Sequence, residues 1–257
     1  MLNLRFFKGK KIFITGHTGF KGSWLAYILY LSGAKVAGYS LKPKNNFDNF
    51  YLLKLNKKIQ NYFGDVRDEK NLIEKIKNFK PEIIFHLAAQ PLVKESYKRP
   101  KFTFSTNMLG TLNVLEAIRE VKNIKSALII TSDKCYKNYE KKRGYSEDDE
   151  LGGDDPYSAS KAVAENICLS YQKSFFKNKN KIGLVSVRAG NVIGGGDWSK
   201  DRIIPDLIKS IISNKKFTIR SPKSTRPWQN IFDLLNGYLI LSKKIYGNNK
   251  FNVSWNF

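Results

Sequence analysis

The chain has 257 residues, 42% of them hydrophobic, enough for one sizeable core and part of a second. Its formal net charge of +23 rests on 45 Lys and Arg, but these lie scattered among Asn and Ile with no motif to organise them, so a solvated basic surface fits better than a nucleic-acid site. No stretch approaches the roughly 20 apolar residues of a membrane span, Ile12-Phe13-Ile14 is too short for a signal-peptide core, and Cys135 and Cys168 have neither disulfide-framework nor metal-site spacing, which leaves a reducing cytoplasm as the expected compartment.

In chain order, Lys11–Thr15 reads as a short apolar strand and residues 20–32 as a helix. Between them runs Thr15-Gly16-His17-Thr18-Gly19-Phe20-Lys21-Gly22. Glycine at such a turn permits unusual backbone angles, and glycine near the helix lets the backbone approach a pyrophosphate held by the helix N-terminus. Gly16, Thr18, Gly19, Phe20 and Gly22 are therefore candidate cofactor contacts, although the spacing is Gly-x-x-Gly-x-x-Gly and not the commoner Gly-x-Gly-x-x-Gly. Lys35–Ser40 is the next strand; it runs into Leu41-Lys42 with no acidic residue for a ribose 2′-hydroxyl, and Lys42 fits a 2′-phosphate instead. Asp65 closes the third strand, either as an acceptor for an adenine amino group or as a loop or capping residue.

Residues 68–79 read as a helix, 82–87 as a buried strand, 103–121 as a long helix and 126–131 as a strand. That places Ser132, Asp133 and Lys134 at a strand's carboxyl end, where open α/β sheets hold their chemistry. After a polar loop, Asp155 suits the cap and Pro156 the first turn of a helix that carries Tyr157-Ser158-Ala159-Ser160-Lys161. A strand at 181–188, a Gly-rich loop, a helix near 203–213, a short strand at 217–220 and a helix near 231–245 follow. The alternation predicts an α/β, Rossmann-like, doubly wound parallel sheet over residues 1–188, with residues 189–257 forming a partial substrate-binding region whose segments interleave with it.

Tyrosine near its ordinary pKa of about 10 is a poor base at neutral pH. A lysine four residues on lies on the same helix face, where its charge favours tyrosinate. With Ser132 as a third group, Tyr157 and Lys161 make up a redox site, and Asp133 beside them is a candidate acid.

These segments resemble the extended branch of the short-chain dehydrogenase/reductase family, through the Gly16 loop, Gly64-Asp65-Val66, His86-Leu87-Ala88-Ala89-Gln90, Asn107, and the Ser132, Tyr157 and Lys161 set. Within it they look most like the dehydratases that act on CDP-glucose, on Gly16 to Leu25, Thr131 to Tyr136, Arg188 to Trp198, and Arg226-Pro227-Trp228-Gln229. The resemblance implies NAD as cofactor, held also by Asp65, Val66, Leu87, Ala88, Ala89, Gln90, Asn107, Tyr157 and Lys161. It implies 4,6-dehydration of a nucleotide sugar: oxidation at C4 with Tyr157 as base and Ser132 on the same oxygen, loss of water across C5 and C6 with Asp133 as acid, and return of hydride to C6. Many relatives carry glutamate where this chain has Lys134, which either loses its own proton to act as the C5 base or stays charged and stabilises the enolate. Asn191, Arg202, Arg220 and Arg226 fall where the nucleotide diphosphate is expected, and guanidinium suits phosphate. A homodimer through helices 103–121 and 157–176 is implied too. Relatives continue past Phe257, so the competing readings are an epimerase or dehydratase of another nucleotide sugar and a nucleotide-binding protein without activity.

Overall fold

Ile12, Phe13 and Ile14 are all fully buried, as a parallel strand covered on both faces requires. The computed structural model, which describes residues 4–43, 45–176, 182–219 and 221–257, repeats this pattern across one sheet. Its strands are β1 (Lys11–Thr15), β2 (Lys35–Ser40), β3 (Gln60–Phe63), β4 (Ile83–His86), β5 (Ser126–Ile130) and β6 (Gly183–Arg188). β7 (Asn191–Ile193) and β8 (Trp228–Asn230) pair only with each other, and β9 (Ser254–Asn256) returns to the main sheet. The order is β3-β2-β1-β4-β5-β6-β9, every pair parallel.

The helices are α1 (Phe20–Leu31), α2 (Asn49–Leu52), α3 (Leu55–Lys58), α4 (Glu69–Phe79), α5 (Val93–Lys98), α6 (Pro100–Phe104), α7 (Gly110–Glu120), α8 (Pro156–Phe175), α9 (Ile203–Ile212) and α10 (Ile231–Lys244). Alternate strand residues feed two cores. Ile12, Ile14, Ile83, Phe85, Leu128 and Val185 pack with Leu25 and Leu29 of α1 and with Leu235 and Tyr238 of α10. Phe13, Ile84, Ala127, Ile129 and Leu184 face the other way, toward Leu72 of α4, Val114 of α7 and Cys168 of α8.

Strand order reverses between β1 and β4, whose last residues Thr15 and His86 are register partners. The crevice beyond them is where such a sheet binds ligands. Two expectations change. The helix expected over 103–121 is interrupted, because Ser105–Leu109 widens into a π turn between α6 and α7. Residues 217–219 have no regular structure, so the short strand expected there is absent among the described residues. In the region after 188, α10 packs on the first core and β9 extends the main sheet beyond β6.

Candidate active site

The loop after β1 is shaped by its glycines. Gly16 has φ +77°, and a Cβ there would lie 2.7 Å from the Ala88 backbone; a Cβ on Gly22 would overlap the Gly16 carbonyl. Gly19 caps α1 without a side-chain hydrogen bond, and no acidic residue stands in the first turn. The first-turn N–H groups of a 12-residue helix are thus left for an anion, which fits a dinucleotide pyrophosphate. Thr18 Oγ1 shares a hydrogen bond with Ser40 Oγ (2.8 Å) and donates to the Leu41 carbonyl (3.0 Å), tying the loop to the end of β2. His17, in the turn after β1, is fully buried with its ring over Gly38; burial lowers its pKa to about 4.

Asp65 follows β3, and Arg67 grips its carboxylate from the backbone N–H (2.9 Å), Nε (3.0 Å) and Nη2 (2.7 Å), holding it below the usual carboxylate range. Val66 is buried against Gly110. Leu87, Ala88 and Ala89 continue from β4, and the Ala88 N–H donates to Thr15 Oγ1 at 3.3 Å. The π turn then explains itself: it brings Asn107 onto Gln90, accepting from its N–H (2.8 Å) and donating to its carbonyl (3.2 Å), and onto Ser160 Oγ (2.8 Å). One side chain joins the loop after β4 to the helix of Tyr157 and Lys161.

Ser132 caps a 3₁₀ turn at the end of β5, accepting from the Lys134 N–H (3.3 Å) and donating to Asp133 Oδ1 (3.0 Å). Burial pushes the Asp133 pKa up against Ser132, Lys134 and Arg226, the direction a proton donor needs. Asp155 caps α8 through the Tyr157 and Ser158 N–H groups, both at 3.0 Å. Tyr157 and Lys161 are both buried on its inner face. Burial raises the Tyr157 pKa to about 12, with Asp133 adding to the rise and the Ser132 hydroxyl and Arg202 opposing it. Lys161 Nζ donates to the Ile130 carbonyl at 3.2 Å, and burial, with Lys21 next, lowers its own pKa to about 8.

Arg202 lies close enough to act on the charges of both Tyr157 and Lys21, and it pairs with Asp197 at 2.9 Å. Trp24 Nε1 of α1 donates to the Gly195 carbonyl at 2.9 Å, tying that loop to α1. Arg226 is near enough to Asp133 to stabilise its charge. Asn191 opens β7 with its N–H on the Pro227 carbonyl (2.9 Å), and Arg220 lies outside the described residues. Two groups were not singled out from the sequence. Lys21 sits among Asp133, Asp197 and Arg202, and burial lowers its pKa to about 8; its position inside the glycine loop was the available signal. Glu165 was readable only as the next step of the 157, 161 spacing.

A family model described as GDP-mannose 4,6-dehydratase matches residues 13–251. CDP-glucose 4,6-dehydratase of Salmonella typhimurium is 48% identical over 262 residues, covering 100% of this chain and 73% of that protein. Among solved structures, the epimerase Mth375 of Methanothermobacter thermautotrophicus superposes with a TM-score of 0.81 at 21% identity, over 99% of this chain and 73% of that one. The dTDP-glucose 4,6-dehydratase of Bacillus anthracis, solved in complex with NAD, gives 0.80 at 22%, over 97% and 75%.

Proposed function

Because the chain belongs to the GDP-mannose 4,6-dehydratase family, we propose that it is a nucleotide-sugar 4,6-dehydratase, a lyase that converts CDP-glucose to CDP-4-keto-6-deoxyglucose with bound NAD. The observation that carries the reading is the convergence of Ser132, Asp133, Tyr157 and Lys161 at the carboxyl end of one parallel sheet, beside a glycine loop whose helix amides are free for a pyrophosphate. The choice of CDP-glucose is supported by the 48% identity to the Salmonella enzyme.

Held by the glycine loop after β1, Asp65, Tyr157 and Lys161, NAD would supply the hydride acceptor for C4 and the hydride donor for C6. Tyr157 takes the C4 hydroxyl proton as tyrosinate, its own proton having first left and its charge favoured by the Lys161 ammonium, and Ser132 holds the same oxygen. The ketone acidifies the C5 hydrogen. Asp133, with its raised pKa, protonates the departing C6 hydroxyl. Lys134, the next residue and half-buried, would take the C5 proton after losing its own, or hold the enolate charge as ammonium. Arg202 and Arg226 supply guanidinium groups for the diphosphate, which Asn191 flanks. An epimerase shares Tyr157 and Lys161 but needs no acid for water loss, so Asp133 favours the dehydratase.

No described helix is long and apolar enough to cross a membrane, and both cysteines are buried free thiols. A cytoplasmic homodimer that supplies deoxy sugars for surface polysaccharide is the reading these features support. Its contact would run along α7 and α8, where Leu169 and Phe175 stay partly exposed. Purified protein incubated with CDP-glucose and NAD should form a 4-keto sugar, read as its absorbance in alkali, faster than with the UDP, dTDP or GDP sugars. No product, with NAD still bound, would sink the reading.

A further inference from the structure

Glu165 follows Lys161 by four residues on the inner face of α8, as Lys161 follows Tyr157. It is 1% exposed and carries a charge, a costly arrangement unless its partners are good. They are four. Arg188 Nη2 (2.8 Å), Ser186 Oγ (2.7 Å) and Ser254 Oγ (3.0 Å) all donate to Oε2, and Thr131 Oγ1 donates to Oε1.

Thr131 is the residue before Ser132. Its hydroxyl has the Val187 carbonyl as a second acceptor at 3.2 Å, and its N–H donates to the same carbonyl at 2.8 Å. Arg188, itself 4% exposed, donates through Nη1 to Tyr136 Oη at 2.7 Å, and Tyr136 ends the 3₁₀ turn that starts at Ser132. The residue after Arg188 completes the frame: the Ala189 carbonyl accepts from the Asp133 N–H at 3.2 Å. Thus the ion pair reaches both ends of the segment 131–136.

A buried ion pair adds little to stability compared with apolar residues of the same volume, so what this one contributes is placement. We propose that Glu165 is a positioning residue for the dehydration: with Arg188 it clamps Thr131 and Tyr136, the two ends of the segment that carries Ser132, Asp133 and Lys134, against the helix face that presents Tyr157 and Lys161. The clamp rests on the reading of those five residues as the reacting groups. Misplacing catalytic groups by about 1 Å is enough to slow a reaction by roughly 100-fold.

Glu165→Gln alone leaves Arg188 buried without its counter-charge and is expected to fold poorly. Thr131→Val keeps the ion pair and cuts only its link to the segment, so it carries the test, with Thr131→Ser as the variant that keeps the hydroxyl. In folded Thr131→Val, kcat for CDP-glucose should fall by about 10- to 100-fold while KM stays within about threefold, and Thr131→Ser should restore kcat. In the same ligand-free variant, amide hydrogen exchange at 132–136 should quicken by about tenfold, with the rest of the sheet unchanged. Wild-type kcat together with wild-type exchange at 132–136 overturns the clamp. So does exchange that quickens equally everywhere, which marks a merely structural residue. If the wild-type protein shows no turnover of any nucleotide sugar, the proposed function fails, and the exchange measurement on ligand-free protein still decides the clamp.

Discussion

Tyr157 rests as a neutral hydroxyl, because burial and the nearby Asp133 charge outweigh Ser132 and Arg202. Replacing it with Phe removes the proton acceptor and should lower turnover by about 10²- to 10⁴-fold, with bound NAD unchanged by fluorescence. Lys161 sets the pH window. Its pKa, lowered to about 8 by burial and Lys21, means that the ammonium is present below that value and lost as pH rises through it. The expected kcat/KM profile therefore falls above about pH 8, and Lys161→Met should abolish that limb along with most activity. Lys134→Met should leave C4 oxidation intact and stop elimination, so NADH absorbance builds up without 4-keto-6-deoxy product; normal turnover in that variant would remove Lys134 from the mechanism. Ser132, Asp133, Tyr157 and Lys161 were legible in the sequence because short spacings on one strand end and one helix fix their neighbourhood. The balance of their proton affinities was not, since Arg202, Lys21 and Arg226 arrive from other segments.

At the scale of elements, the turn between β1 and α1 shows why glycine stands at position 22: a Cβ there would overlap the Gly16 carbonyl. Gly22→Ala forces the loop apart at a backbone atom that cannot give way. A loss of about 1–3 kcal/mol and of NAD affinity are expected, measured by urea unfolding and by titration. Gly38 is needed for a different reason, since a Cβ there would overlap the His17 ring. That pairing links position 17 to position 38, and neither sequence segment reveals it alone. The π turn at Ser105–Leu109 is hidden for a similar cause: residues 103–121 have helical periodicity throughout, and the widening is selected by Asn107 reaching Gln90 and Ser160. Likewise β9 is only three residues long, too short for a periodic signal, and exists because β6 offers it an open edge at Ser186, Val187 and Arg188.

Across the whole molecule, the last strand binds the active-site frame. Ser254 donates to Glu165 at 3.0 Å, Tyr136 donates to Asn256 at 2.6 Å, and the Phe257 ring packs edge-on against Tyr238 with centroids 5.7 Å apart. Deleting residues 254–257 removes these interactions together with the β9 ladder on β6 and the bonds from Asn256 to Glu147 and Tyr145, and should cost at least about 3 kcal/mol, at roughly 1 kcal/mol for each hydrogen bond; urea unfolding measures it, and an unchanged midpoint would show that β9 is dispensable. The sequence by itself determined the alternating strands and helices, the glycine turn between the first strand and helix, and the candidate reacting groups, because hydrophobic period and short-range spacing act within a few residues of chain. Only the tertiary structure decided which distant charges meet those groups, how the region after residue 188 rejoins the sheet, and that Glu165 and Arg188 bond to both ends of the segment 131–136. Burial and Coulomb interactions depend on distance through space, and linear spacing carries no record of it.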